Sequence, residues 1–158
     1  MADEQGIEVT VVDDSDYVGW AAAATRTGEI YMTDVKSMVD NVIRKATAAK
    51  SGISRLNILD HGNARGLEIG KDWVDINSIT SYEGTLRLLK PYFSKGGFVH
   101  LQHCQVGQNH ALLARLSTIF GVPVYAGTGK HNPVYRFNFG QYDRCFSDGK
   151  CEANVERP

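Results

Sequence analysis

Apolar, β-branched runs alternate along this chain with stretches whose apolar residues recur every three or four positions. That alternation limits the fold more than any other feature. Ile7–Val12 (IEVTVV) reads as a strand ended by Asp13-Asp14-Ser15-Asp16. Val35, Met38, Val39, Val42, Ile43 and Ala46 then mark one buried helical face, with Thr33 as its expected cap and Lys50-Ser51-Gly52 as its end. Ile53–Leu59 (ISRLNIL) is a second strand, Phe98–His103 a third after the break at Gly96-Gly97, and Val122–Ala126 a fourth. Between the second and third strands, Thr80-Ser81-Tyr82-Glu83 has the capping-box pattern ahead of a Leu86, Leu89, Phe93 stripe, which Pro91 should distort or end. Asn109 can cap the next helix, whose stripe is Leu112, Leu113, Leu116, Ile119 and Phe120 and whose stop is Gly121. Strands alternating with helices imply parallel strands with helices on the sheet faces. The expectation is therefore one three-layer α/β domain over residues 1–158, with a mainly parallel sheet and helices on both faces.

Three segments fit that scheme less directly. In Tyr17–Met32, Ala21–Ala24 suggests a helical turn, Thr27-Gly28 a turn and Glu29–Met32 a short strand. Leu67–Ile69 and Trp73–Ile76, around Gly70-Lys71-Asp72, look like a small hairpin. Val134–Phe139 and Gln141–Cys145 suggest a terminal meander, which makes the C-terminal extension antiparallel.

Composition narrows the partners. A chain of 158 residues can bury roughly 68–70% of its unfolded surface. It is 42% hydrophobic and 22% charged with a formal net charge of −1, and it has no dense run of lysine or arginine. Neither nucleic acid nor an anionic membrane surface is expected as a partner. The longest apolar stretch, around Val18–Ala24, is far short of the roughly 20 residues of a membrane span. The opening MADEQG lacks the basic and apolar regions of a signal peptide, so a cytoplasmic location, or export without a cleavable signal, is expected.

In sheets of this kind ligands sit beyond the carboxyl ends of the strands. The second strand delivers Asp60-His61-Gly62 there, and the third delivers Cys104. If those strands are neighbours, an imidazole and a thiol share one rim. The imidazole can take the thiol proton during attack on a carbonyl and return a proton to the leaving amine. The N–H groups of Gly62 and Cys104 could hold the oxyanion that forms. Taken singly, Cys104 reads as a buried small hydrophobe and His61 as a turn residue. Their placement at two strand ends favours a paired site. Gln105, Thr128 and His131 are the expected substrate-binding residues around it, and the chemistry needs neither metal nor organic cofactor.

The order strand–His61–Gly62, then strand–Cys104, resembles the caspase-type (clan CD, caspase–hemoglobinase fold) cysteine peptidases across roughly Ile53–Thr128. It is most similar to small bacterial and toxin-associated members, in which a strand-His-Gly is followed by a hairpin like Gly66–Trp73. The resemblance implies a caspase-like fold with His61 as general base, Cys104 as nucleophile, and Gly62 and Cys104 amides as the oxyanion hole. It also implies a peptide or protein substrate and permits the role of a secreted bacterial effector or toxin. Gln102-His103-Cys104-Gln105-Val106-Gly107 departs from the caspase pattern Gln-Ala-Cys-Arg/Gln-Gly, so caspase specificity does not carry over. A non-catalytic binding module on the same fold and a cell-wall peptide amidase are the alternatives.

Remaining features have competing readings. Cys145 and Cys151 bracket the turn-rich Phe146–Lys150, where a hairpin disulfide and two free thiols are both compatible. His61, His100, His103 and Cys104 could be zinc ligands, but residues three apart on a strand face opposite ways and structural-zinc spacing is missing, so no metal is expected. Asp13, Asp14 and Asp16 read as a turn cap ahead of a Mg²⁺ site. Gly127-Thr128-Gly129-Lys130 lacks the spacing of a phosphate loop and better lines a cleft. Tyr135–Phe139 alternates like an edge strand, where meander packing outweighs peptide addition. Trp20 and Trp73 read as packing residues.

Overall fold

The computed structural model describes residues 6–13, 28–135 and 137–158. Asp14, Asp16, Trp20 and the Ala21–Ala24 turn therefore lie outside the described residues. Seven strands form the main sheet: β1 (Ile7–Asp13), β2 (Ile30–Met32), β3 (Ile53–Leu59), β7 (Phe93–Gln102), β8 (Val124–Gly127), β11 (Tyr142–Cys145) and β12 (Cys151–Val155). Their order is β12-β11-β8-β7-β3-β1-β2. The five from β2 to β8 run parallel, while β11 and β12 add an antiparallel edge. The architecture is α/β with a mainly parallel sheet and a C-terminal antiparallel part, as the alternating sequence pattern predicts.

Helices α1 (Val35–Ala49), α2 (Ile79–Arg87) and α3 (His110–Phe120) lead into β3, β7 and β8 in turn. Each step moves the chain the same way across the sheet, and right-handed crossovers then put all three helices on one face. There Val9, Val11, Leu56, Ile58, Val99, Leu101, Val124 and Ala126 join the helices' Val39, Leu86, Leu112 and Leu116 in a single apolar core. The opposite strand parity carries a polar layer. Asn57 donates to Glu8 and Thr10, and Arg55 donates to Asn57 and to His100 Nδ1. Phe98 lies under the Arg55 guanidinium, and Tyr125 under that of Arg144. Among the described residues this second face carries no helix, so the expectation of helices on both faces is met there on one.

Several local expectations change. The cap of α1 is Asp34, not Thr33: its carboxylate accepts the Ser37 N–H at 2.7 Å while Ser37 returns a bond to the Asp34 N–H. The Thr80–Glu83 pattern is no capping box. Helix α2 starts earlier, after Ser78, with no side-chain cap bond, and Glu83 instead pairs with Arg87 and Arg115. Phe93 belongs to β7 rather than to the helix, which ends ahead of the 3₁₀ turn Lys90–Tyr92 containing Pro91. Gly96-Gly97 does not break the chain: β7 runs through it, with Gly96 at φ +79° and a register irregularity opposite β3. Asn109 and Gly121 cap α3 as predicted, the asparagine accepting from Leu112 N–H and the glycine left-handed at φ 72°.

Past β3, the short strands β4 (Gly62–Asn63), β5 (Gly66–Ile69) and β6 (Asp72–Asp75) form a separate three-stranded sheet. Its β5–β6 turn clamps the start of α1. Lys71 N–H donates to Thr33 O, Asp72 accepts the Val35 N–H, and a Cβ on Gly70 would sit 2.1 Å from Thr33 O. Among the described residues of Val134–Phe139 the strand is the short β10 (Phe137–Asn138), which pairs with β9 (His131–Asn132) as a separate two-stranded ribbon rather than in a meander.

Candidate functional site

Strands β3 and β7 are hydrogen-bonded neighbours whose last paired residues are Leu59 and Gln102. Two residues beyond each come His61 and Cys104, so both positions leave the sheet at the same rung. Adjacent strands stand about 4.8 Å apart. The two exit segments also touch. A Cβ built on Gly62 would lie 2.9 Å from His103 Cβ and 2.8 Å from Val106 Cγ2, so only glycine allows the His61 segment this close to the Cys104 segment.

Asp60 fixes the imidazole's backbone. One carboxylate oxygen accepts the His61 N–H and the other accepts the Gly70 N–H, both at 2.8 Å. Glu68 N–H donates to His61 O at 2.9 Å, making that pair the hydrogen-bonded rung of β4 with β5. Antiparallel pairing alternates, so the next rung, Gly62 with Leu67, leaves the Gly62 N–H turned away from β5. The His61 side of the rim is exposed.

Cys104 is a half-buried free thiol. Gln105 follows at φ 61°, a left-handed conformation uncommon for a non-glycine residue. Its N–H donates to Gly129 O at 2.8 Å, and Gly107 packs so tightly that a Cβ would sit 2.5 Å from Ala126 O. The chain after β7 is thus bolted to the chain after β8. From that second loop the His131 N–H points at Cys104 Sγ, 3.4 Å away.

Of the expected substrate-binding residues, Gln105 and His131 flank the thiol through their backbones. Thr128 is tied into the loop: its N–H and hydroxyl engage Gln141, and its carbonyl accepts from Gln108. Asn138, which the sequence did not single out, rivets this loop. Its amide accepts from Gly129 and Gly140 N–H and donates to Gly129 O, and its own N–H donates to Tyr142 Oη. Asp60 was likewise not singled out, and His103 was considered only as a zinc ligand. A carboxylate directly ahead of His61 is a readable sign of an orienting acid; nothing local marks Asn138.

Three imidazoles lie beneath the rim. Arginine can only donate, so Arg55 at 3.1 Å makes His100 Nδ1 an acceptor and puts that ring's proton on Nε2. Burial, with help from Arg55, holds His100 well below the usual histidine range. His103 donates from Nε2 to Glu68 O at 2.9 Å, and burial pushes it down to about 3. Burial and then Arg157 bring His131 down to about 4. All three are neutral near pH 7, so the rim is underlain by uncharged rings.

Cys145 and Cys151 form a disulfide with an S–S distance of 2.05 Å, across paired positions of β11 and β12. The hairpin is separate from the rim.

A model of one protein family, described as a domain of unknown function (DUF4347), matches residues 9–132. The comparisons with curated proteins and with solved structures gave no match. The matched span runs from within β1 to the end of β9, with His61, Cys104 and His131, and stops short of the disulfide hairpin. This chain belongs to the DUF4347 family.

Proposed function

We propose that the chain is a cysteine hydrolase of caspase-like fold, cleaving a peptide or related amide through His61 and Cys104. The observation that carries this reading is the shared rung of β3 and β7, with Gly62 seated against His103 and Val106. The Cys104 sulfur attacks the carbonyl carbon as His61 takes its proton. The carbonyl oxygen, now an anion, is held by the N–H groups of Gly62 and Cys104, a contribution typically worth about 10²–10³ in rate per donor. Collapse breaks the C–N bond, His61 gives its proton to the leaving amine, and an acyl–Cys104 thioester remains. Water activated by His61 then releases the acid and regenerates the thiol. The His131 N–H aimed at Cys104 Sγ can stabilise the negative charge that develops on the sulfur during attack.

Iodoacetamide labelling followed by peptide mass analysis tests the dyad on the disulfide-intact chain, where Cys104 is the free cysteine. Cys104 should alkylate faster in the wild type than in His61→Ala, by tenfold or more near neutral pH. Equal rates in the two proteins would show that His61 does not activate the thiol, and the dyad would be abandoned.

A further inference from the structure

A second cluster of ligating side chains lies where α3 begins, with His110 inside the matched family span and its two cysteines beyond it. A ring nitrogen of His110 and the sulfurs of Cys145 and Cys151 fall within 4.8 Å of one another. His110 Nε2 stands 2.7 Å from Asp143 Oδ2. A carboxylate only accepts, so Nε2 carries a proton and Nδ1 is the ring nitrogen left to ligate a metal. Asp143 is nearly fully buried, and its other oxygen is held by Asn154 N–H and Gln141 Nε2. A buried, anchored carboxylate behind an imidazole is the outer-shell arrangement that orients metal-ligating histidines.

We infer that the Cys145–Cys151 disulfide, His110 and Asp143 form a redox-gated zinc site, closed while the disulfide is intact and opened by a dithiol reductant. The reductant transfers two electrons: its two thiols become a disulfide, the Cys145–Cys151 bond breaks, and each sulfur leaves as a thiol. Zinc binding then displaces one proton from each thiol to solvent, so Zn²⁺, two thiolates and a neutral imidazole sum to zero charge. Zinc–sulfur bonds of about 2.3 Å and zinc–nitrogen bonds of about 2.0 Å place tetrahedral ligands about 3.5–3.8 Å apart. The sulfurs, bonded to each other in the disulfide, must therefore part on reduction, while all three ligand atoms already lie within 4.8 Å of one another. The fourth position is left to water. His110 also lines an open cleft of about 660 Å³ with Arg65, Asp75 and Asn109, so one of the three ligands is reached from solvent.

Cobalt and zinc titrations of the full chain, with Cys104→Ser removing the third thiol, provide the test. Reduced and desalted protein should take up one equivalent of Co²⁺ with thiolate-to-metal charge-transfer absorption, and one equivalent of Zn²⁺ should displace it. The oxidised protein should take up none. His110→Ala should weaken binding at least tenfold, and Asp143→Asn by about 10–100-fold. Zinc should also raise the thermal midpoint of the reduced chain but not that of its His110→Ala variant, a comparison that holds even if reduction frays the hairpin. Uptake equal in both redox states, uptake surviving Cys145→Ser with Cys151→Ser, or no uptake by the reduced chain would each overturn the site. Loss of Cys104 reactivity in the labelling experiment would leave this inference untouched.

Discussion

Gly62 shows how little room the rim allows. An added methyl would meet His103 Cβ and Val106 Cγ2 at under 3 Å, and neither can swing aside, because both residues are buried. Gly62→Ala should therefore push the two exit segments apart. We expect about 1–3 kcal/mol of destabilisation, typical of overpacking, and at least a tenfold slower alkylation of Cys104 at a temperature where the protein is still folded. Denaturant melts beside labelling kinetics check both parts. A variant with unchanged stability and reactivity would mean that the segments are not pressed together in solution. Gln105 adds a complementary constraint, since its left-handed backbone is held by its N–H bond to Gly129 O and by its carbonyl, which accepts the Gln108 N–H.

Elements differ in how openly the chain announces them. Strand β3 and the stripe of α3 could be read directly, because ISRLNIL and Leu112–Phe120 combine the right period with end signals at Asn109 and Gly121. The start of α1 was misplaced by one residue because Thr33 and Asp34 are both good caps, and only tertiary placement decides between them. Thr80–Glu83 misled for another reason: Glu83 is engaged by Arg115 from α3, a partner 32 residues away that no local window contains. The pairing of β3 with β7, which the sequence left as a condition, is met in the sheet, whereas Asp60, His103 and Asn138 act through contacts across loops. Asn138 is the residue to change at this scale. Asn138→Ala strips partners from Gly129 and Gly140, each hydrogen bond being worth about 1 kcal/mol. A fall of about 2–3 kcal/mol in unfolding free energy is expected. The Cys104 alkylation rate should change as well, because the same loop aims the His131 N–H at the sulfur. Unaltered Cys104 kinetics in a destabilised variant would separate the loop from the thiol.

For the molecule as a whole, the sheet divides an apolar, helix-covered face from one laced with Arg55, Asn57 and His100. Its acid sensitivity follows from the histidines. His103 and His100 are buried and titrate in the folded state below the unfolded value of about 6.5. The unfolded chain therefore binds those protons first. Stability is complete above pH 6.5 and declines below it, by at most about 1.4 kcal/mol per pH unit for each ring, until the folded-state values are reached. Urea midpoints should thus drop sharply between pH 7 and pH 5; a flat profile would show that the rings accept protons without unfolding. The clamp of the β5–β6 turn on the start of α1 has a mechanical corollary. The ribbon that follows His61 is anchored to the same helix that leads into His61's own strand, so it cannot lift without uncapping that helix. This side of the rim is a fixed jaw, and any widening to admit a bulky chain has to come from across the thiol, where the segment after β8 is tied by Asn138, by Thr128 with Gln141, and by the Gln105 N–H.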